Sequence, residues 1–263
     1  MPKSDVSKIT ACAGLAAFLY QFENCMVTTT LPVMSREIAG LSSVVSLVPA
    51  AYLVAAAVMI VPAGRLAMRM GYSRMLAGAL AILAVGTVVC WLATDATVLI
   101  IGRGIQGLGG GTMASVAYGM VAVGVPNDER RGALGWVSLG AGLGMVMGAP
   151  FGGLVAEWLS WRWVFALQIP LFVAAALVML RAAFDGRATG GASAHWGRSA
   201  MLGLGIACLC VAGSLGRERG WLSPEILGLQ TAAVGIFGIF FVAECRAGGA
   251  LFPGEIWAAK RFW

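Results

Sequence analysis

Two ionisable side chains, Glu23 and Arg103, stand deep inside apolar runs of a chain in which 59% of residues are hydrophobic and 11% are charged. Such a group costs at least ~2.5–3.5 kcal/mol at the centre of a membrane-spanning helix, so each one needs a partner and points to chemistry. At 1.5 Å per helical residue and a hydrocarbon core of about 30 Å, Glu23 lies roughly 20 Å from the start of its run, and Arg103 roughly 9 Å in from the opposite face. The two are level and could pair. Burial disfavours a charged carboxylate and a neighbouring guanidinium favours it, so a motion separating the two would load or unload a proton. The plainer alternatives are a static pair that fixes helix packing, or a Glu23 facing a wet cavity.

Other chemistry finds little support. No spaced set of His, Cys and carboxylates suits a nucleophile, a general acid–base pair or a metal. Cys12, Cys25, Cys90, Cys208, Cys210 and Cys245 fall within or at the ends of apolar runs, where a thiol behaves as a small hydrophobe. His195, the only histidine, sits in a polar stretch and reads as solvated. Neither an enzyme nor a metal or organic cofactor is expected.

The elements that would hold Glu23 and Arg103 are long apolar helices. With a mean hydropathy of +0.86, 37 glycines and nine tryptophans, 263 residues carry more apolar surface than a soluble domain can bury. Runs long enough to span a bilayer cover 9–33, 45–63, 75–93, 98–123, 133–156, 163–180, 200–215 and 226–243. The first is too long for the core of a cleavable signal and is read as retained. The seventh is the shortest.

Charge orients these spans. With the N-terminus inside, one face holds Lys3, Lys8, Arg65, Arg69, Arg74, Arg130, Arg131, Arg181, Arg187, Arg198, Arg246, Lys260 and Arg261; the other holds Arg36, Arg162, Arg217 and Arg219. That bias places the N-terminus in the cytoplasm and the chain in the cytoplasmic membrane as a multi-pass protein. The net charge of +6 belongs to loops between spans and implies the lipid bilayer as partner, with no nucleic acid.

Connections divide the chain. Residues 1–180 read as a six-helix transmembrane bundle and 181–199 as a glycine-rich cytoplasmic linker. Two further transmembrane helices cover 200–245, and 246–263 form a cytoplasmic segment that stops where a ninth helix would begin. Glycines in "GRGIQGLGGG" (102–111) and at Gly135, Gly140, Gly142, Gly144, Gly148, Gly152 and Gly153 make smooth stripes for close helix packing. Pro32, Pro49, Pro62, Pro150 and Pro170 each kink a span or mark its end. Trp158, Trp161 and Trp163 read as an interfacial aromatic belt. Tyr20, Asn24, Met26, Thr28 and Tyr52 are candidates to line a cavity, and equally to be ordinary packing.

Five motifs in order, over residues 20–170, resemble the major facilitator superfamily, in particular its fourteen-helix drug:proton antiporter branch. "GRLAMRMGYSR" (Gly64 to Arg74) is similar to the loop signature G-x-L-A-D-R-x-G-R-R/K, which would make Gly64, Arg65, Arg69, Gly71 and Arg74 a gating loop. "RGIQGLG" resembles the fourth-helix motif R-x-x-Q-G-x-G, whose arginine is associated with proton coupling and corresponds to Arg103, followed by Gln106. Gly135, Gly144, Gly148, Pro150, Gly152 and Gly153 match the antiporter motif G-x8-G-x3-G-P-x2-G-G, with the proline one place late. "WRWVFALQIP" resembles the W-R-W-I-F-x-I-N-x-P start of the sixth helix, and "ENCMVTTTLP" puts Glu23 at the acidic position of the first.

The resemblance implies two six-helix bundles that rock about a small-molecule substrate at the membrane midplane. The present sequence carries the first bundle and the two extra helices of the fourteen-helix branch, and lacks the C-terminal bundle. The implied activity is proton-coupled efflux of small lipophilic or amphipathic compounds, driven by the proton gradient. The alternative is a truncated or non-transporting half-transporter that serves as a membrane binding or assembly module. Two departures bear on gating: Met68 stands where the loop signature has aspartate, and the displaced Pro150 turns its kink by about 100°.

Overall fold

A computed structural model describes residues 3–181 and 196–246, which form nine helices joined by short loops, with no strand among these residues. The helices are α1 (Lys3–Glu37), α2 (Leu47–Met70), α3 (Tyr72–Trp91), α4 (Ala96–Gly124), α5 (Asn127–Trp158), α6 (Trp161–Ala166), α7 (Gln168–Arg181), α8 (Trp196–Arg219) and α9 (Pro224–Arg246). The 181–199 linker lies largely outside the described residues, as does almost all of 246–263. Arg187, His195, Lys260 and Arg261 therefore have no described position.

Each expected run is a rod, and the sixth is two. Its break falls at Leu167, between α6 and α7, just ahead of Pro170. A proline has no N–H to give the carbonyl four residues back, here Ala166, so the turn before it loosens. Pro49 and Pro170 sit in first turns, where that loss is harmless, whereas Pro32, Pro62 and Pro150 lie inside their helices.

Among the described residues, length and composition alone mark five rods as able to cross a membrane: α2, α3, α5, the α6–α7 pair and α9; residues 200–216 of α8 form a shorter apolar stretch. α1 and α4 fall short of the eight expected because they carry the polar groups of the bundle interior. In α4, 16 of 29 residues are buried, against seven of 32 in α5, which makes α4 the central helix. Its Arg103, Gln106 and Thr112 face other helices.

Packing follows the small residues. α1 lies along α5, α4 is flanked by α2 and α3, α3 contacts α7, and α8 packs on both α2 and α9. Between lipid-facing helices no hydrophobic force drives association, so close backbone approach must supply it. Gly140, Gly144, Gly148 and Gly152 recur every four residues on α5, and a Cβ at each would run into the α1 carbonyls of Gly14, Phe18, Phe22 and Met26 respectively. Gly135, Gly142 and Gly153 meet nothing within 4 Å, so two positions of the antiporter motif lie off this seam. The outward face of α5 is exposed and apolar, including Trp136, Leu143, Val146 and Phe151.

Connections are short at one end. Gly71 alone links α2 to α3 at φ +95°, a left-handed conformation that glycine adopts without strain. At the other end three loops are tied together. Trp161 is fully buried there and donates from Nε1 to Glu37 Oε2 at 2.8 Å; Arg162 stacks on the Trp161 ring at 4.3 Å and donates to the Ala93 carbonyl at 3.2 Å. The aromatic-belt reading is thus corrected for Trp161. Only Trp158 and Trp163, 78% and 51% exposed, project outward, because Trp161 has a carboxylate partner inside the loop cluster.

Candidate functional site: a buried ion pair and its cradle

α1 and α4 meet at Glu23 and Arg103, both with 0% exposure. Arg103 Nη1 donates to Glu23 Oε1 at 2.5 Å and to Gln106 Oε1 at 2.9 Å, and Nη2 donates to Asn24 Oδ1 at 2.9 Å. The guanidinium carbon sits 4.4 Å above the centre of the Tyr52 ring. The levelling of Glu23 and Arg103 read from helix depth is therefore a contact in the structure.

Local structure explains the meeting. Gly107 lets α2 approach α4 so closely that a Cβ there would strike the Tyr52 carbonyl, and this proximity lays the Tyr52 ring beneath Arg103. Gly110 similarly makes room for the Tyr52 hydroxyl, which donates to the Tyr20 carbonyl at 3.5 Å. Arg103 and Gln106 are one helical turn apart and so share a face. Gln106 Nε2 in turn donates to Thr87 Oγ1 of α3 at 2.9 Å, and Cys90 Sγ donates to Gln106 Oε1 at 3.5 Å.

Electrostatically, one carboxylate and one guanidinium cancel inside an otherwise apolar interior, and neutral acceptors surround the cation. Glu23 Oε2 and Arg103 Nε make no hydrogen bond, so the pair is joined through a single oxygen. Apart from Glu23, Arg103 holds Gln106 Oε1, Asn24 Oδ1 and the Tyr52 ring, so its charge has neutral supports as well.

The other expected residues divide. Asn24 and Tyr52 belong to the pair's shell, and Tyr20 touches it through its carbonyl. Thr28 is exposed and bonds back to the Asn24 carbonyl at 2.7 Å. Met26 is fully buried where α5 approaches at Gly152, and the Gln168 amide of α7 comes within 3.7 Å of its sulfur.

Gly64, Arg65, Arg69, Gly71 and Arg74 sit at the opposite end of α2 and the start of α3, apart from the pair. Gly64 faces Ser115, whose hydroxyl bonds the Ile60 carbonyl at 2.6 Å, and Met68 packs half-buried against the core that includes Ala67 and Tyr72. Gly144, Gly148 and Gly152 form the α1 seam, with Pro150 exposed between them.

Sequence reading missed Thr87 as a partner of Gln106 and Gln168 as a partner of Met26. Neither has a spacing signal, since each reaches across to another helix. Gly140 was legible, because 140, 144, 148 and 152 keep a strict interval of four. Among the described residues no group of three or more His, Cys, Asp or Glu could hold a metal ion.

Comparison with known proteins places this arrangement. Residues 13–252 match the family profile described as Major Facilitator Superfamily. An uncharacterized MFS-type transporter of Mycobacterium tuberculosis is 31% identical over 245 residues, covering 89% of this chain and 35% of the relative. The multidrug transporter protein MdtP of Bacillus subtilis is 29% identical over 253 residues, covering 94% and 46%. A putative multidrug resistance protein, MdtD of Klebsiella pneumoniae, is 26% identical over 266 residues, covering 90% and 56%. The crystal structure of an auto-inhibited POT family peptide transporter shares the fold at a TM-score of 0.54 and 15% identity, covering 88% of this chain and 52% of that one. The chain spans roughly a third to just over half the length of these proteins.

Proposed function

Because the chain belongs to the major facilitator superfamily, as a multi-pass membrane protein of a family of transporters rather than enzymes, we propose that it supplies the first bundle of a proton-coupled exporter. The substrates are small lipophilic or amphipathic compounds, the membrane is the cytoplasmic one, and the N-terminus faces the cytoplasm. The relatives named as multidrug transporters support the substrate class, and the loop arginines support the orientation.

One observation carries the coupling: the fully buried Glu23–Arg103 pair, joined through Glu23 Oε1 alone. A proton arriving at Glu23 Oε2 neutralises the carboxylate and releases its hold on Arg103. Arg103 then rests on Gln106, Asn24 and Tyr52. When the carboxylate is charged again, the attraction between α1 and α4 returns. Rocking of this bundle against a second one would convert that alternation into exchange of a proton for a substrate.

The test is proton-driven ethidium efflux by everted vesicles carrying the full chain. Glu23→Gln keeps the size of the side chain and cannot cycle a proton, so driven efflux is lost. Driven efflux at the unsubstituted level in Glu23→Gln would remove the coupling role. Absence of any flux in the unsubstituted protein favours the binding or assembly module.

A further inference from the structure

We propose that Thr87 of α3 is a positioning residue for Arg103, acting through the side-chain amide of Gln106. The inference rests on the antiporter reading for its functional consequence, while its structural part stands on the hydrogen bonds alone.

The bonds run in one direction. The Thr87 hydroxyl donates to the Leu83 carbonyl at 2.8 Å, which uses its only proton and leaves it to accept. It accepts from Gln106 Nε2 at 2.9 Å, and so sets the amide with its nitrogen toward α3 and its oxygen toward Arg103. That oxygen receives Arg103 Nη1 at 2.9 Å and Cys90 Sγ at 3.5 Å. A flipped amide would set N–H against N–H at Arg103 and oxygen against the occupied Thr87 hydroxyl. Both contacts are unfavourable at a site where every member is fully buried and water cannot compensate.

Geometry leaves the amide no escape. α3 approaches so closely at Gly86 that an added Cβ would lie 2.7 Å from Gln106 Cγ, and at Gly102 it would lie 3.0 Å from the Cys90 nitrogen. Gln106 is therefore held along its length, and Thr87 decides which end of its amide meets the guanidinium. A buried threonine that bonds only its own helix is a common packing feature. The second bond, arriving from another helix and from the side chain that holds Arg103, separates Thr87 from that case.

The consequence is an Arg103 kept in register while Glu23 gains and loses its proton. Without Thr87 the amide nitrogen has no acceptor and only Arg103 and Cys90 orient the amide oxygen, so the neutral acceptor of Arg103 is less firmly fixed. The cation is then less well supported in the protonated state.

Two measurements on the full chain decide the matter. The first is a thermal-melting cycle with Thr87→Val, Arg103→Met and the double variant; valine keeps the shape and removes the acceptor. Thr87 and Arg103 share no bond, so simple packing roles give additive losses in melting temperature. Relay through Gln106 gives a double variant that melts above the sum of the single losses, with Thr87→Ser melting near the unsubstituted protein. Additive losses, or a serine variant as low as the valine one, overturn the proposal.

The second measurement compares proton-driven ethidium efflux with downhill ethidium equilibration after the gradient is collapsed. Thr87→Val is expected to lower the driven rate about tenfold and change the downhill rate by less than about twofold, with Thr87→Ser restoring the driven rate. Equal falls in both rates overturn the positioning role. Efflux that ignores the gradient in the unsubstituted protein overturns the antiporter reading instead, and the melting cycle still decides the role of Thr87.

Discussion

Arg103 touches a carboxylate, two amide oxygens and an aromatic face at once, and that set explains how one charge can stay inside an apolar bundle. Its depth was legible in the sequence, and so was that of Glu23, because helical rise converts position along an apolar run directly into height. What surrounds the pair was only partly legible. Asn24 adjoins Glu23 and Gln106 lies one turn from Arg103, whereas Thr87 arrives from α3 by a packing geometry that no spacing encodes. Trp161 shows the same limit from the other direction. Its position beside Trp158 and Trp163 suggested the membrane interface, but a tryptophan N–H seeks an acceptor, and the loop cluster supplies Glu37. Trp161→Phe should keep the ring and lose that bond. The expected cost is about 1–2 kcal/mol by thermal melting, below the range for a fully buried charged partner because Glu37 is exposed. A melting point equal to that of the unsubstituted protein would show that the Trp161–Glu37 bond does not hold the three loops together.

The helices are placed by where they lack side chains. α5 follows α1 over four consecutive turns because Gly140, Gly144, Gly148 and Gly152 present bare backbone to the Gly14, Phe18, Phe22 and Met26 carbonyls. The family resemblance singled out Gly135 and Gly153 with this group, yet both face open space, since neither position keeps the interval of four. The displaced Pro150 points away from the seam, as its rotation around the helix requires. A paired substitution separates seam from surface. Gly144→Ala drives a methyl into the Phe18 carbonyl and should cost about 1–3 kcal/mol in melting experiments. Gly142→Ala, two residues away inside the same helix with nothing within 4 Å, should not destabilise and should gain up to about 1 kcal/mol from helix propensity. Equal losses at both positions would mean that α1 and α5 do not meet along this line.

Across the whole molecule the two ends differ in construction. Three loops are clamped at one end by Trp161 and Arg162; at the other, α2 and α3 turn on Gly71 and carry Arg65, Arg69 and Arg74, with no Asp or Glu on either helix. Met68, at the place where the loop signature it resembles has aspartate, contributes packing to the core. The proposed orientation puts the arginine end in the cytoplasm. In a background freed of the six native cysteines, Arg74→Cys should react with an impermeant thiol reagent only from the cytoplasmic side; labelling from outside would invert the topology.

The proposed exchange of a proton at Glu23 on substrate binding is tested most directly by proton release from the purified full chain. In weakly buffered detergent solution, ethidium should release protons from the unsubstituted protein and none from Glu23→Gln, provided both still bind the dye. Equal proton release from both would contradict the account.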